Sequence, residues 1–281
     1  MKSPLWHSAA TGIFVEISSD LSAKLIACAH TLADAARPVT LAHFRAFGLQ
    51  ADTKETARFD PVTVADRGAE KAMRAVLAVL RPDDAILGEE YGPKAGTTGL
   101  TWVLDPIDGT RGFISGTPTW GVLIAVNAGQ APVFGIIDQP YIRERFEGGF
   151  GRASVTGPSG KSPLGVRACD ALRDAVIFTT FPEVGTANEG RAFHELARQT
   201  KLTRYGMDCY AYALLAAGQI DLVVEAGLQS YDVQAPIAVI QAAGGLVTDW
   251  KGQPAHNGGR VLAAGSKNLH AQALAILSGC D

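Results

Sequence analysis

The sequence has few cysteines, and their spacing matches no metal-binding or redox motif. Its four cysteines, Cys28, Cys169, Cys209 and Cys280, are far apart, and no C-x-x-C pair occurs. Zinc ribbons and thioredoxin-like sites both depend on such close pairs, so neither class is expected. We expect the thiols to be reduced, as is usual for a cytoplasmic protein.

Runs of basic residues are also missing. The chain has 25 Lys and Arg against 28 Asp and Glu, a formal net charge of −3, and its basic residues are scattered. Nucleic acids and anionic membrane surfaces are bound by clustered basic side chains. Neither is therefore expected as a partner.

Long apolar segments are missing as well. No run approaches the ~20 apolar residues that a membrane-spanning helix needs, and residues 1–14 do not have the pattern of a secretory signal. The sequence thus predicts a cytoplasmic, soluble protein with no membrane partner. What is present, 281 residues with 47% hydrophobic and 19% charged content, is typical of a globular enzyme and sufficient for two packed subdomains.

Apolar periodicity predicts two differently organised halves. Helices are expected over residues 19–36, ended by Pro38, and over residues 65–80. Short buried strands are expected to end at Gly88 and Leu104, followed by a hairpin of residues 120–126 and 133–138.

Residues 151–163 are rich in Gly, Ser and Pro, which favours a connection between an α+β subdomain, 1–150, and an α/β subdomain, 151–281. Beyond this segment strands and helices are predicted to alternate, the pattern of an α/β fold.

The most informative segment is residues 105–110, Asp-Pro-Ile-Asp-Gly-Thr. Asp105 and Asp108 offer the oxygen ligands that Mg²⁺ prefers, and the proline stiffens the turn so that the Ile107 carbonyl can face the same ion. Gly109 and Thr110 then offer backbone N–H groups to an anion such as phosphate. Together they indicate metal-assisted chemistry on a phosphate ester. The alternative is an Asp-rich turn that caps a helix.

Further acidic residues follow or precede apolar segments elsewhere in the chain. They are Asp60, Asp66, Glu89 and Asp232. A single acid in such a position is usually a helix cap, whereas several favour a site built at strand ends.

These motifs carry a resemblance to a known family. Residues 88–90 (Gly-Glu-Glu), 105–110, 231–232 (Tyr-Asp) and 242–245 (Ala-Ala-Gly-Gly), together with residues 60–66 ahead of them, are similar to the inositol monophosphatase superfamily of Mg²⁺-dependent phosphatases. The match is colinear over roughly residues 40–265. It implies a layered αβαβα sandwich and a homodimer.

The resemblance also implies two to three Mg²⁺ ions and their ligands. Glu89, Asp105 and the Ile107 carbonyl would bind one ion, and Asp105, Asp108 and Asp232 a second, with Glu89 near a weaker third. Hydrolysis would then use a metal-activated water.

Three residues are implied to act on that water. Glu89 and the Thr110 hydroxyl, the latter oriented by Asp66, would position and deprotonate it. The metal held by Asp108 and Asp232 would neutralise the leaving alkoxide.

Further segments resemble the histidinol-phosphate phosphatase branch of this superfamily. They are Phe44-Arg45, Lys54, residues 110–113, residues 138–140, Glu144-Arg145 and residues 208–212. L-Histidinol carries an ammonium and an imidazole, which call for carboxylates such as Asp208 and Glu225, whereas an inositol ring would need many hydroxyl partners. Arg204 would lie near the substrate phosphate or order the acidic cluster. The branch usually has Gly-Gly-Asp where this chain has Gly206-Met207-Asp208.

The expected substrate is therefore a small phosphorylated metabolite. The predicted substrate-binding residues are Asp108, Gly109, Thr110, Arg111, Arg204, Asp208, Glu225 and Asp232. Inositol 1-phosphate or another small phosphate ester is the alternative substrate, and a non-catalytic metal- or phosphate-binding relative is the alternative class. Arg111 could equally form a surface ion pair, and the scattered histidines are better explained as structural.

Overall fold

The computed structural model describes residues 17–48, 51–53, 61–129 and 131–280. Asp60 and Lys54, which the sequence singled out, lie outside these residues. Within them, none of the helices combines the length and apolar content that crossing a bilayer requires.

The described residues form seven α-helices. They are α1 (Ser19–His43), α2 (Val64–Leu80), α3 (Thr110–Ser115), α4 (Ala187–Ala197), α5 (Tyr210–Ala216), α6 (Ser230–Ala242) and α7 (Lys267–Leu277).

The same residues form fifteen strands. They are β1 (Asp52–Thr53), β2 (Pro61–Val62), β3 (Ala85–Gly88), β4 (Gly92–Lys94), β5 (Thr101–Asp108), β6 (Gly121–Asn127), β7 (Pro132–Gln139), β8 (Glu144–Gly149), β9 (Arg152–Gly157), β10 (Gly160–Pro163), β11 (Val176–Thr179), β12 (Leu202–Tyr205), β13 (Leu222–Leu228), β14 (Leu246–Thr248) and β15 (Gly259–Ala264).

Apart from the short β1–β2 pair, the strands form two sheets. The large sheet has eight strands in the order β10-β9-β8-β7-β6-β5-β3-β4, and only its β3–β5 pair is parallel. The small sheet has the order β12-β11-β13-β15-β14, with parallel pairing on both sides of β11. The hairpin predicted around residues 120–138 is confirmed as β6–β7.

The apolar contacts stack these elements in five layers. Helices α1 and α2 cover one face of the large sheet with a core that includes Leu32, Met73 and Trp102. Helices α5 and α6 fill the space between the two sheets. Helices α4 and α7 cover the outer face of the small sheet around Phe193 and Trp250. The predicted αβαβα sandwich is confirmed.

Helix α6 approaches the large sheet so closely that two strand positions require glycine. A Cβ on Gly135 would lie 2.5 Å from the carbonyl oxygen of Ala235, and one on Gly148 would lie 2.4 Å from the Cα of Val239. Because nothing but hydrogen fits there, the middle and second half of α6 pack directly on β7 and β8, and they fix the position of the helix. The first turn of this helix carries Asp232.

The first helix is longer than its sequence predicts. We expected Pro38 to end it, but α1 continues to His43 with Pro38 inside. Proline removes one N–H donor within a helix. The Thr40 hydroxyl donates to the Arg37 carbonyl at 3.0 Å in the same turn, and the helix packs along α2, so tertiary contacts outweigh the local preference.

The predicted connection over residues 151–163 was also wrong. This segment forms β9 and β10, an antiparallel hairpin at the edge of the large sheet. The edge strand β10 is exposed, whereas Ser154 on β9 is buried. The division into subdomains stays a prediction, and the extent of the large sheet favours a boundary near residue 164.

Candidate active site

A cavity of about 430 Å³ opens where the ends of β5, β11 and β13 meet the starts of α3, α5 and α6. Ten residues singled out from the sequence line it: Glu89, Asp105, Ile107, Asp108, Gly109, Thr110, Arg111, Asp208, Glu225 and Asp232. The fold thus brings together residues that are widely separated along the chain.

Three carboxylates form a compact cluster at this cavity. One oxygen each of Asp105, Asp108 and Asp232 lies within 4.8 Å of the other two. Burial, reinforced by the charges of Glu89, Asp108 and Asp232, raises the pKa of Asp105 well above its usual value. Loss of hydration and the Asp232 charge raise the pKa of Asp108 likewise. The cluster has too much negative charge for the space it occupies.

The turn that carries Asp105 and Asp108 is shaped by its own sequence. Strand β5 is regularly paired with β6 up to Asp105, and the register then shifts before Asp108. In this irregular stretch the Ile107 N–H donates to Asp105 Oδ1 at 3.1 Å. Gly109 follows with φ of 83°, a left-handed conformation that suits glycine, and α3 begins directly after it.

Asp108 is oriented from another element. The backbone N–H of Cys209, just before α5, donates to Asp108 Oδ2 at 2.7 Å. This contact joins the β5 turn to the α5 turn across a long separation in sequence. No sequence pattern predicts this contact, because the donor is a backbone group.

Asp66 joins the start of α2 to Thr110. Its Oδ2 accepts hydrogen bonds from the Thr63 N–H at 2.8 Å and the Thr63 hydroxyl at 2.6 Å, as in a capping box. Its other oxygen, Oδ1, lies 3.3 Å from the Thr110 hydroxyl. That hydroxyl also lies 3.1 Å from the Ile107 carbonyl oxygen, so two acceptors compete for its proton.

Glu89 lies in a turn that a buried residue of α2 supports. Glu70 accepts hydrogen bonds from the backbone N–H of Glu90 at 2.7 Å and of Tyr91 at 3.3 Å, and pairs with Arg74 at 2.7 Å. The sequence analysis missed Glu70. A signal existed, since Glu70 lies four positions after Asp66 and therefore on the same face of α2.

Asp232 has two roles in its position. It lies in the first turn of α6, where its Oδ2 accepts a hydrogen bond from the Gln229 N–H at 2.7 Å. It also belongs to the acidic cluster. The helix-cap explanation is therefore correct for this residue, and its membership of the acidic cluster is compatible with the predicted role in metal binding, which stays a prediction.

Asp208 packs closely against the Gly109 turn. A Cβ on Gly109 would lie 2.6 Å from its Cγ, and Thr119 donates to its Oδ2 at 2.8 Å. Burial raises the pKa of Asp208, while Thr119 and the nearby charge of Arg111 lower it. The side chain of Met207, where the resemblance implies glycine, instead packs against the apolar core between the sheets.

Glu225 is the other acidic group outside the cluster that the sequence predicted to bind substrate. It is buried, and Thr180 donates to its Oε1 from both N–H (2.7 Å) and hydroxyl (2.8 Å), while Thr179 donates to Oε2 at 3.1 Å. Burial raises the pKa of Glu225 to about 7 in spite of these donors. A cationic ligand would stabilise its charged form.

Arg204 and Arg111 occupy different environments. Among the described residues, those lining the cavity do not include Arg204, which is exposed on the edge strand β12. Arg111 lines the cavity, with its guanidinium carbon 4.9 Å from the centre of the Phe181 ring. The role predicted for Arg204 therefore stays a prediction.

The donor set at the cluster fits a hard divalent cation. Asp105, Asp108 and Asp232 offer only oxygen ligands, and burial together with the neighbouring carboxylates raises the pKa of Asp105 and of Asp108. Mg²⁺ prefers such carboxylate sites.

The layered fold and the oxygen-only acidic cluster at strand ends define a metal-dependent phosphatase architecture. The family model described as the inositol monophosphatase family matches residues 21–280, and the chain belongs to this family.

Three of the similar proteins are named as phosphatases. The chain is 39% identical over 273 residues to a bifunctional phosphatase IMPL2, chloroplastic, of Arabidopsis thaliana, covering 93% of this chain and 77% of that one. It is 36% identical to a histidinol-phosphatase of Streptomyces coelicolor, covering 89% and 95%. The structure of an inositol monophosphatase from Zymomonas mobilis matches with a TM-score of 0.81 and 40% identity over 93% of this chain and 99% of that one. The protein is thus a phosphatase of a metal-dependent family.

Proposed function

We propose that this protein is a Mg²⁺-dependent phosphomonoesterase that hydrolyses L-histidinol phosphate to L-histidinol and phosphate. The observation that carries the choice of substrate is the pair Asp208 and Glu225, two carboxylates that line the cavity outside the metal cluster. The similarity to a histidinol-phosphatase of Streptomyces coelicolor over most of both chains supports it.

The acidic groups would hold two to three Mg²⁺ ions. Glu89, Asp105 and the Ile107 carbonyl form one proposed ligand set, and Asp105, Asp108 and Asp232 form another. When bound, the metal supplies charge neutralisation and a more acidic water.

The protein's own groups then position the reactants. Glu89 and the Thr110 hydroxyl, which lies 3.3 Å from Asp66 Oδ1, would accept and direct the protons of the attacking water. The backbone N–H groups of Gly109 and Thr110 and the side chain of Arg111 would bind the phosphoryl oxygens. No nucleophilic Ser or Cys is required, since phosphoryl transfer depends mostly on positioning and charge stabilisation.

The negative charges of Asp208 and Glu225, which line the cavity outside the metal cluster, favour a cationic alcohol over a polyol as substrate. L-Histidinol brings an ammonium and an imidazole, and each gains from a carboxylate partner with few competing waters. The raised pKa of Glu225 is consistent with this, because binding a cation there would restore its ionised form. Inositol 1-phosphate is the second candidate, favoured by the similarity to the inositol monophosphatase from Zymomonas mobilis.

The test is a comparison of kcat/KM at fixed Mg²⁺ across L-histidinol phosphate, inositol 1-phosphate, an adenosine bisphosphate and fructose 1,6-bisphosphate. We expect the highest value for L-histidinol phosphate. A preference for inositol 1-phosphate would replace the proposed substrate, and complete inactivity with every ester and metal concentration would favour a non-catalytic binding protein. Light scattering after gel filtration tests the homodimer that the family resemblance implies.

The Asp208→Asn variant tests substrate recognition directly. It keeps the side-chain volume that packs against Gly109 but removes the charge. We expect KM for L-histidinol phosphate to rise about tenfold or more, as for the loss of a charged hydrogen-bond partner. KM for 4-nitrophenyl phosphate, which has no cationic group, should change less than about twofold. Equal changes with both substrates would exclude Asp208 from recognition of the amine.

A further inference from the structure

Tyr212 lines the cavity, and its buried hydroxyl group has no hydrogen-bond partner among the described residues. Tyr212 is in α5, only 4% of its surface is exposed, and it lines the cavity. Among the described residues no donor or acceptor reaches its hydroxyl within hydrogen-bonding distance. A buried polar group in this state destabilises the folded protein, so its presence calls for an explanation.

Tyr210, two residues earlier in the same helix, has a hydroxyl group with a hydrogen-bond partner, as is usual for a tyrosine that is not exposed. Its hydroxyl donates to Glu144 Oε2 at 2.8 Å, outside the residues that line the cavity. The two tyrosines therefore differ in what their hydroxyl groups contact, and of the two it is Tyr212 that lines the cavity.

The groups around Tyr212 are acidic. Burial and the charges of Glu225, Asp108 and Asp232 raise the pKa of the phenol well above its usual value, so the hydroxyl keeps its proton at neutral pH. Each of these carboxylates already accepts a hydrogen bond from a backbone N–H elsewhere, including Thr180 for Glu225. The Tyr212 oxygen is thus a neutral acceptor in an anionic environment, which suits a cationic donor.

We propose that the Tyr212 hydroxyl binds the substrate ammonium group together with Glu225. In L-histidinol phosphate the ammonium is on the carbon adjacent to the one that bears the phosphate ester, so it lies close to the metal cluster when the phosphate is bound there. Its N–H donors need several acceptors, and one carboxylate cannot satisfy them all. The inference rests on the proposed function and adds a recognition residue to it.

The test is the Tyr212→Phe variant, which removes only the hydroxyl oxygen. We expect kcat/KM for L-histidinol phosphate to fall about tenfold, the usual effect of losing one such hydrogen bond. For 4-nitrophenyl phosphate it should change less than about twofold. The melting temperature in EDTA should stay the same or rise, because the substitution removes a buried hydroxyl that has no partner.

The matched control is Tyr210→Phe in the same helix. It loses the hydrogen bond to Glu144, so the melting temperature should fall while kcat/KM for both substrates stays within about twofold. The two variants are thus expected to have opposite effects on stability and on activity.

Three results would overturn the inference. They are unchanged kinetics of Tyr212→Phe, an equal loss with both substrates, and a melting temperature that falls as far as in Tyr210→Phe. Each of these can occur while the wild-type protein prefers L-histidinol phosphate, and the proposed function then stands. A wild-type protein without that preference overturns the proposed function and, with it, the ammonium contact.

Discussion

Two regions of the molecule bury carboxylates beside the large sheet, and they compensate the negative charge in opposite ways. One is the acidic cluster of Asp105, Asp108 and Asp232. The other, which we name the α1 ion-pair cluster, consists of Asp138 and Glu147 on the sheet with their basic partners, among them Arg37 and Arg145.

The α1 ion-pair cluster supplies its own positive charges. Asp138 is fully buried, and Arg37 and Arg145 pair with its Oδ1 at 2.6 and 2.7 Å. Glu147 lies 2.8 Å from His30 Nε2 and 2.9 Å from Lys161 Nζ. The hydrogen bond from His30 and those from Ser154 and Lys161 hold the pKa of Glu147 far below its usual range.

The acidic cluster contains the same residue types with the opposite result. Burial raises the pKa of Asp105, and the neighbouring carboxylates, among them Glu89, raise it further. The two clusters thus show that burial alone does not determine the role of an acidic residue. A buried acid that pairs with basic side chains of the same protein joins helices and strands. A group of buried acids without such partners is instead stabilised when cations bind from solution.

The largest expected effect is that of Asp105→Asn. Turnover should fall by at least about a thousandfold, because this carboxylate belongs to both proposed metal sites. In EDTA the free energy of unfolding should rise by about 1 kcal/mol, because one of the mutually repelling charges is gone. Phosphate release and urea denaturation measure the two effects. Near-normal activity at low Mg²⁺ would contradict the role of Asp105 in metal binding. A loss of stability in EDTA would contradict the repulsion within the acidic cluster.

A smaller effect with the opposite distribution is expected for Asp138→Asn. The free energy of unfolding should fall by about 3 kcal/mol, because two guanidinium groups lose their buried partner. The kcat/KM of the folded enzyme should stay within about twofold. Urea denaturation is the measurement, and Asp20→Asn, which breaks the exposed pair with Lys24, is a control expected to change stability by less than about 1 kcal/mol. A similar result for both variants would show that burial of the pair does not matter.

The smallest effects concern pH, and Glu147 of the α1 ion-pair cluster and the cavity residue Glu225 should respond in opposite windows. The pKa of Glu147 is lowered from 4.5, so the stability that it contributes is present above pH 4.5 and is lost as the pH falls below it. The pKa of Glu225 is raised from 4.5 to about 7, so in metal-free protein stability is lost as the pH rises through that interval.

The matching variants are Glu147→Gln and Glu225→Gln. In EDTA, Glu147→Gln should lose the acid-side slope, and Glu225→Gln should flatten the slope between pH 4.5 and 7, each by about 1 to 2 kcal/mol. Denaturation curves at several pH values measure this. If both variants changed the same window, the contrast between a compensated and an uncompensated acid would fail.

Local sequence predicted the parts of the site that depend on neighbouring residues. The segment 105–110 combines a strand end, a stiff turn and a left-handed glycine, and each of these is determined within a few positions of the chain. The αβαβα order also followed, because the family motifs are colinear with it.

The parts that sequence reasoning missed depend on contacts between distant segments. Pro38 is tolerated because α1 packs along α2, and residues 151–163 became strands because a sheet edge was available. Glu70 shares a helix face with Asp66, but its contacts to the backbone N–H groups of residues 90 and 91 follow only from the packing of α2 against that turn. The unpaired hydroxyl of Tyr212 is visible only once its surroundings are known.

Asp66 and Asp232 each take part in a helix cap and also belong to the proposed active site. Each accepts a hydrogen bond from a backbone N–H at the beginning of a helix, from Thr63 and from Gln229. Asp66 also contacts Thr110, and Asp232 also belongs to the acidic cluster. A substitution that removes either carboxylate also removes a helix cap, and the free energy of unfolding should fall by about 1 kcal/mol. A related protein that lost its activity by substitution of these two acids would therefore also need other changes that restore the stability of the two helices.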